Sequence, residues 1–272
     1  MNLFSHKIST KTISAIVFGA IAAFSATNPA QAFDFKMTGG IKGSNGELNQ
    51  GAFSEFRDLA GTTTVDFNNG QIPSGSSAFA SYSFSNGGSN SSVRADMWAP
   101  TYATLADGSS NVLKANKNDS KYLAVFSGNN VIINLKENLN YFGINWGAAH
   151  SGNTYSFYKG NSLLKAFSTA DIDAAGGFQH YNTAHGGGGA GAKGGAQGNG
   201  FAHFYAENES EVFDRIVISQ VGGGGFETDN HSFHVGSDRF TGFDPQSVPE
   251  PGMLLGLASI VGGTLLKRKQ QA

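Results

Sequence analysis

Residues 78–85 read Ala-Phe-Ala-Ser-Tyr-Ser-Phe-Ser, in which apolar and hydroxyl side chains alternate strictly from Ala80 to Ser85. Ala78, Ala80, Tyr82 and Phe84 share one face and Ser81, Ser83 and Ser85 the other, because successive side chains of an extended chain project to opposite sides. That period of two predicts a half-buried strand. The pattern repeats upstream, where Thr63, Val65 and Phe67 oppose Thr64 and Asp66. Downstream, strands are predicted at 122–127, 131–135, 141–146, 154–158, 163–167, 201–205, 213–219 and 232–235. Ser127-Gly128-Asn129-Asn130 and Lys159-Gly160-Asn161 supply turns between them, since Gly and Asn accept positive φ at little steric cost. Short strands with turns at this spacing predict an all-β fold, an antiparallel β-sandwich of jelly-roll-like form.

Two helical pieces interrupt the pattern. Phe53, Phe56 and Ala60 recur at helical spacing, and Ser168 with Asp171 forms a capping box that opens a short helix over 169–175. Acids at Asp171 and Asp173 suit the first turn of such a helix.

Composition narrows the function classes. The chain has 272 residues, 38 of them glycine and 22 phenylalanine, and contains no cysteine, so neither a disulfide framework nor a thiol nucleophile exists. Between 33 and 248 the sequence carries 13 Lys/Arg against 19 Asp/Glu. A surplus of negative charge repels phosphate backbones, so nucleic acid is not an expected partner. Segment 186–200 has nine glycines and a single charge, Lys193, and is predicted to be a surface loop. It lacks the Gly-Lys-Ser/Thr ending of a phosphate-binding loop.

Both ends read as addresses. Lys7 and Lys11 precede an apolar run over 13–24, and Ala30-Gln31-Ala32 is the small-x-small pattern that signal peptidase reads, so 1–32 is expected to be removed and the mature chain to begin at Phe33. The β-sandwich domain is then 33–247. At the other end Val248-Pro249-Glu250-Pro251 is followed by an uncharged run over 252–266 and by Lys267-Arg268-Lys269. The run is a short candidate membrane-spanning helix, the three cations would stay on the cytoplasmic side, and the two prolines hold the motif extended outside the bilayer.

This tripartite tail over 248–272 resembles the PEP-CTERM sorting signal. The resemblance implies recognition and cleavage by a membrane enzyme of the exosortase family, transient anchoring in the membrane by the C-terminal helix, and delivery to the cell surface or extracellular matrix. Several internal stretches are similar to a domain of exosortase-dependent surface proteins of the cyanobacterial type: Thr64-Val65-Asp66-Phe67-Asn68 with Ile72-Pro73-Ser74-Gly75 following, Asn140-Tyr141-Phe142-Gly143-Ile144-Asn145-Trp146-Gly147, Asn153-Thr154-Tyr155-Ser156-Phe157-Tyr158 and Phe226-Glu227-Thr228-Asp229-Asn230. Relatives tend to carry an Asp-containing link where this chain has Ala148-Ala149-His150-Ser151-Gly152. The resemblance implies a β-rich surface domain and brings no catalytic residue with it.

Chemistry-bearing residues are sparse. His231 and His234 lie three apart on a strand, which sends their rings to opposite faces and spoils joint ligation. His180, His185 and His203 are the set that could be asked to bind zinc, with solvated loop histidines as the plainer reading. No pair of carboxylates is placed for glycoside hydrolysis and no Gly-x-Ser-x-Gly elbow sits between a strand and a helix, so the expectation is a protein that is not an enzyme. One oxygen-rich combination is offered for calcium, Asp66 with Glu227, Asp229 and Asn230, which would clip the two chain ends together in place of a disulfide; turn-forming Asx side chains are the alternative. No other cofactor is called for. Trp98 and Tyr102 are the candidates for stacking on sugar rings, whereas Trp146 alternates with Phe142 and Ile144 and belongs to the core. The function expected is that of an exported structural or adhesive component of the polysaccharide matrix, with a carbohydrate-binding module as the runner-up and a secreted hydrolase behind it.

Overall fold

The computed structural model describes residues 33–244 apart from positions 48, 76, 86–91, 96–99, 101, 105–113, 117, 175–181, 184–196 and 223. The segments read as a signal peptide (1–32) and as a sorting motif with a basic tail (248–272), and most of the glycine-rich segment, therefore lie outside the described residues. Among the described residues no helix is long and apolar enough to cross a membrane.

The chain is all-β and antiparallel, as its alternation predicts. In order the strands are β1 (Asp34–Thr38), β2 (Thr62–Val65), β3 (Ala80–Phe84), β4 (Ser92–Arg94), β5 (Tyr102–Thr104), β6 (Lys114–Asn116), β7 (Tyr122–Phe126), β8 (Asn130–Ala149), β9 (Asn153–Lys159) and β10 (Ser162–Ser168). Among the described residues one α-helix, α1 (Thr169–Ala174), precedes β11 (Asn182–Thr183) and β12 (Gln197–Tyr205), and a 3-10 turn at Glu209–Glu211 separates β12 from β13 (Phe213–Gln220) and β14 (Gly225–Val235). The capping box is present in both directions: the Ser168 N–H donates to Asp171 Oδ2 at 2.8 Å and the Asp171 N–H donates to Ser168 Oγ at 3.2 Å. The second expected helix is absent. Residues 53–60 instead form successive turns, with the Arg57 N–H donating to Ser54 O and the Leu59 N–H to Phe56 O. The segment lies flat on a sheet, where Phe56 packs edge-on to Tyr141 and Phe240, and tertiary contact overrides the helical spacing.

β8 organises everything else. Its first part, 130–135, pairs with β13 on one side and β3 on the other, and its second part, 139–149, pairs with β12 and β14. One twenty-residue strand therefore belongs to two layers. The sequence reading breaks it into two strands because Lys136, Glu137 and Asn138 interrupt the apolar pattern; those three are exposed and mark where the strand passes from one layer to the next. The first layer runs β10-β9-β13-β8-β3 and the second β1-β12-β8-β14-β7-β4, with β2 also on β14.

The two layers face one another in a sandwich-like arrangement, and the space between them is aromatic. Phe157 of β9 lies 5.1 Å from Phe204 of β12, and Tyr155 lies 5.1 Å from Trp146 and 4.9 Å from Phe226. Trp146 is fully buried, as its alternation with Phe142 and Ile144 requires. Phe33, the residue expected to begin the mature chain, is itself a core residue, 4.7 Å from Phe157 and 5.5 Å from Phe213. Such rings carry much of the burial free energy, each worth ~3–5 kcal/mol against alanine.

Hairpin chemistry behaves as expected. Gly128 at φ 80 turns the chain between β7 and β8, and Gly160 at φ 56 turns it between β9 and β10. Two strands are longer than predicted. β12 starts at Gln197, inside the glycine-rich segment, and β14 starts at Gly225 because 225–229, where the polar Glu227, Thr228 and Asp229 mask the strand pattern, pair with β7 and β8.

Candidate functional site

The side of the second layer that faces away from the core is polar, and it is buried too. Tyr141, Gly143, Asn145 and Gly147 of β8, Phe201 and His203 of β12, and Glu227 and Asp229 of β14 project there by the pleat, opposite the inward Phe142, Ile144, Trp146, Ala202 and Phe204. A cover built from 41–47, 49–56, Pro100, 118–120 and 236–243 lies over them. The Asn230 amide ties it down, its Nδ2–H donating to Gln50 O and Ala52 O, both at 2.8 Å. Asn230 can do so because it adopts φ 49 at a bulge where the β8–β14 register shifts between Asp229 and Ser232.

The first polar centre is a chain of hydrogen bonds through His203. Glu55 Oε2 is 3.1 Å from His203 Nε2, and an ionised carboxylate only accepts, so Nε2 carries the proton. His203 Nδ1 therefore accepts from the Tyr141 O–H at 2.8 Å, and Tyr141 Oη accepts from the Ser54 O–H at 2.7 Å. The Phe56 N–H closes the chain on Ser54 Oγ at 3.0 Å. Thr38 Oγ1, 2.8 Å from Nε2, receives the Gly40 N–H. Burial holds the imidazole below its ordinary pKa, so it is neutral near pH 7. Burial also pushes the Tyr141 hydroxyl up. At Glu55 burial acts to raise the pKa, and hydrogen bonding from His203 and Thr38 outweighs it, leaving the carboxyl lowered. Ser54, Tyr141 and His203 are all fully buried, so the array positions the cover and presents no nucleophile to solvent.

The second centre surrounds Asp229. Its carboxylate accepts from the Asn230 N–H at 2.8 Å, the Ser120 O–H at 3.0 Å and the Asn118 Nδ2–H at 3.3 Å. Pro100 O receives both the Asn118 amide at 2.6 Å and the Asn145 amide at 3.1 Å. Gly51, at φ 72, lies over this knot, and a Cβ there would come within 2.3 Å of Asn145 Nδ2. Burial drives the Asp229 pKa well up, and the charge of Asp66 adds to that.

The structure places the calcium candidates unevenly. Asp66 is exposed, with Oδ1 accepting from the Asn68 N–H in an Asx turn, and its charge reaches Asp229. The Glu227 carboxylate folds back over Gly225, away from Asp229. Asn230 spends its amide nitrogen on the two backbone carbonyls. The expected joining of early and late chain exists, and Asn230 makes it with hydrogen bonds. Among the described residues no group of three or more His, Cys, Asp or Glu could hold a metal. His180 and His185 lie outside the described residues, as do Trp98 and the Tyr102 side chain.

The histidines of β14 do project oppositely. His231 enters the core, where Nδ1 lies 2.9 Å from Tyr82 Oη and Nε2 lies 3.0 Å from Thr228 Oγ1. Burial takes its pKa down to about 3. His234 faces outward and meets Asn140 Oδ1 at 2.8 Å.

Sequence reasoning missed the Ser54–Tyr141–His203–Glu55 chain. Its signal is the alternating placement of Tyr141 and His203 on the face opposite the aromatic one, but the partner segment 53–56 reads as a helix. A surface cleft of about 360 Å³, lined by Arg94, Phe126, Ser127 and Gly224, was also unforeseen; the Arg94 guanidinium stands 5.0 Å over the Phe126 ring.

No family model matches the chain, and no curated protein matches it. Among solved structures it is similar to the catalytic domain of a GH87 alpha-1,3-glucanase in complex with tetrasaccharides, at 15% identity and a TM-score of 0.28, over 62% of this chain and 30% of that one. The chain thus spans less than a third of that protein's length, and a likeness this slight carries no argument about fold or activity.

Proposed function

We propose that the chain is an exported surface protein, sorted by an exosortase through Val248-Pro249-Glu250-Pro251 and retained in the cell-surface polysaccharide matrix as a structural or adhesive component. The observation that carries this reading is the order of the last twenty-five residues: a proline-flanked acid, an uncharged apolar run and Lys267-Arg268-Lys269. The Ala30-Gln31-Ala32 site at the other end supports it. A jelly-roll-like wrap of the two layers suits a scaffold that must stand outside the cell without disulfides, held by aromatic packing on one face of β8 and a sealed hydrogen-bond array on the other. That array also favours a role other than catalysis, since its Ser, Tyr and His are closed to solvent.

A carbohydrate-binding module is the second reading. It is favoured by the Arg94–Phe126 cleft and by the pinning of Pro100, the neighbour of Trp98 and Tyr102, through Asn118 and Asn145. Mass spectrometry of the native surface-associated protein tests the sorting claim: the N-terminus should be Phe33 and peptides containing 267–272 should be missing. Intact Lys267-Arg268-Lys269 on mature surface protein would overturn it. A glycan array separates the two readings, because a passive matrix component gives no saturable sugar binding.

A further inference from the structure

We propose that the buried polar site around Asp229 takes a hard divalent cation, Ca²⁺, with the Asp229 carboxylate and the side-chain oxygen of Asn145 as protein ligands and with Asp66 supplying the second negative charge.

Three independent observations converge there. Asp229 is fully buried, and each of its three donors, from Asn230, Asn118 and Ser120, is neutral. A buried carboxylate held only by neutral dipoles is expensive unless a cation or a proton neutralises it. Asp66 follows Val65, which pairs with His231, so it stands beside the Asp229–Asn230 stretch and its charge acts on Asp229, and among the described residues no Lys or Arg acts on Asp229. Asn145 stands directly opposite Asp229 on the neighbouring strand, fully buried, and its Oδ1 has no hydrogen-bond partner. Its Nδ2 is fixed on Pro100 O, which sets the amide's orientation and keeps the oxygen as the free end.

The donor set selects the metal. Carboxylate and amide oxygens, without thiol or imidazole, suit Ca²⁺ and not zinc or copper. Two carboxylates match its charge, and water can complete the six to eight oxygens it takes. This set keeps Asp66 and Asp229 from the sequence reading and replaces Glu227 and Asn230, whose side chains are turned elsewhere. The inference stands apart from the sorting claim, and either can fail without the other.

Calorimetric titration of Ca²⁺ into the full chain after metal removal, with thermal melts alongside, decides the matter. Wild type should bind one Ca²⁺ with a dissociation constant of about 0.1–1 mM, in the range of extracellular sites, and should melt about 5 °C higher in ~10 mM Ca²⁺. Asp229→Asn should lose the response, and its metal-free melting temperature should equal or exceed that of wild type, because an amide replaces a buried charge. Asp66→Asn, an exposed change that leaves folding intact, should weaken binding about tenfold. No heat and no melting shift with Ca²⁺ would overturn the proposal and leave a proton as the neutralising species. Equal shifts with Mg²⁺, or unaltered Ca²⁺ binding in either variant, would overturn it as well.

Discussion

The two faces of β8 over its second part, 139–146, are both buried and differently held. Inward, Phe142, Ile144 and Trp146 join an aromatic core; outward, Tyr141 and Asn145 meet a polar cover through hydrogen bonds, at no solvent exposure on either side. The difference teaches that burial alone does not define a hydrophobic core. Apolar packing is non-directional and tolerates adjustment, whereas the outward array works only if each donor finds its acceptor. From Phe56 N–H to Glu55 every proton runs in one direction, so one missing hydroxyl breaks the array at two places.

The largest effect should come from the inward face. Phe157→Ala removes a ring that touches Phe33, Phe142, Phe204 and Phe213, and should lower unfolding free energy by ~4 kcal/mol in a single cooperative transition. A biphasic transition would show that the two layers fold separately.

Acid should attack both faces at once. His203 outward and His231 inward are neutral in the fold because burial depresses their pKa values, that of His231 to about 3, while unfolded histidines take up protons below about 6.5. The unfolded chain then binds more protons, so stability is full above ~6.5 and falls as pH drops, at up to about 1.4 kcal/mol per unit for each ring. Asp229, raised by burial, works the other way. His234, half-exposed, adds little. His231 alone, with its pKa at about 3, should cost about 2 kcal/mol between pH 6.5 and 5, measured by denaturant unfolding at each pH. His231→Gln should flatten the slope; an unchanged slope would place the proton uptake elsewhere.

Tyr141→Phe sharpens the contrast, because the ring and its stack on Phe240 stay while the hydroxyl goes. His203 Nδ1 and the Ser54 O–H lose their partner, and the expected loss is ~1–2 kcal/mol. A neutral result would mean that water replaces the hydroxyl. The smallest effect belongs to neither face: Leu163 is 53% exposed on the outer strand β10, and Leu163→Ser should stay within ~0.5 kcal/mol in the same assay.

Much of the inward face was legible in the sequence, because Ala80 and Tyr82, Phe142 and Trp146, Tyr155 and Phe157 follow the period of two that a half-buried strand imposes. The capping box at Ser168 and Asp171 is likewise a local rule that tertiary structure left alone. The outward face was hidden for a physical reason. Tyr141, Asn145, His203 and Asp229 look solvent-facing in a strand, and their burial depends on a cover whose contacts are up to 180 residues away, as with Asn230 and Gln50. Phe53 and Phe56 read as a helical face because they pack, but they pack as turns. Asp229 is named in the sequence with Asp66, Glu227 and Asn230 as an oxygen-rich set joining early and late strands; Asn118 and Ser120, whose side chains bond it, come from another segment that no spacing rule connects to it.

Native-state hydrogen exchange in Phe157→Ala tests most directly whether the two faces are separately held. The Phe53 amide, bonded to Ile41 O in the cover, should exchange by lifting of the cover alone, and the Ile144 amide by unfolding of the whole domain. The predicted result is that the core substitution lowers Ile144 protection by its full destabilisation and leaves Phe53 protection unchanged. An equal fall at both amides would contradict the account, since cover and core would then open as one unit.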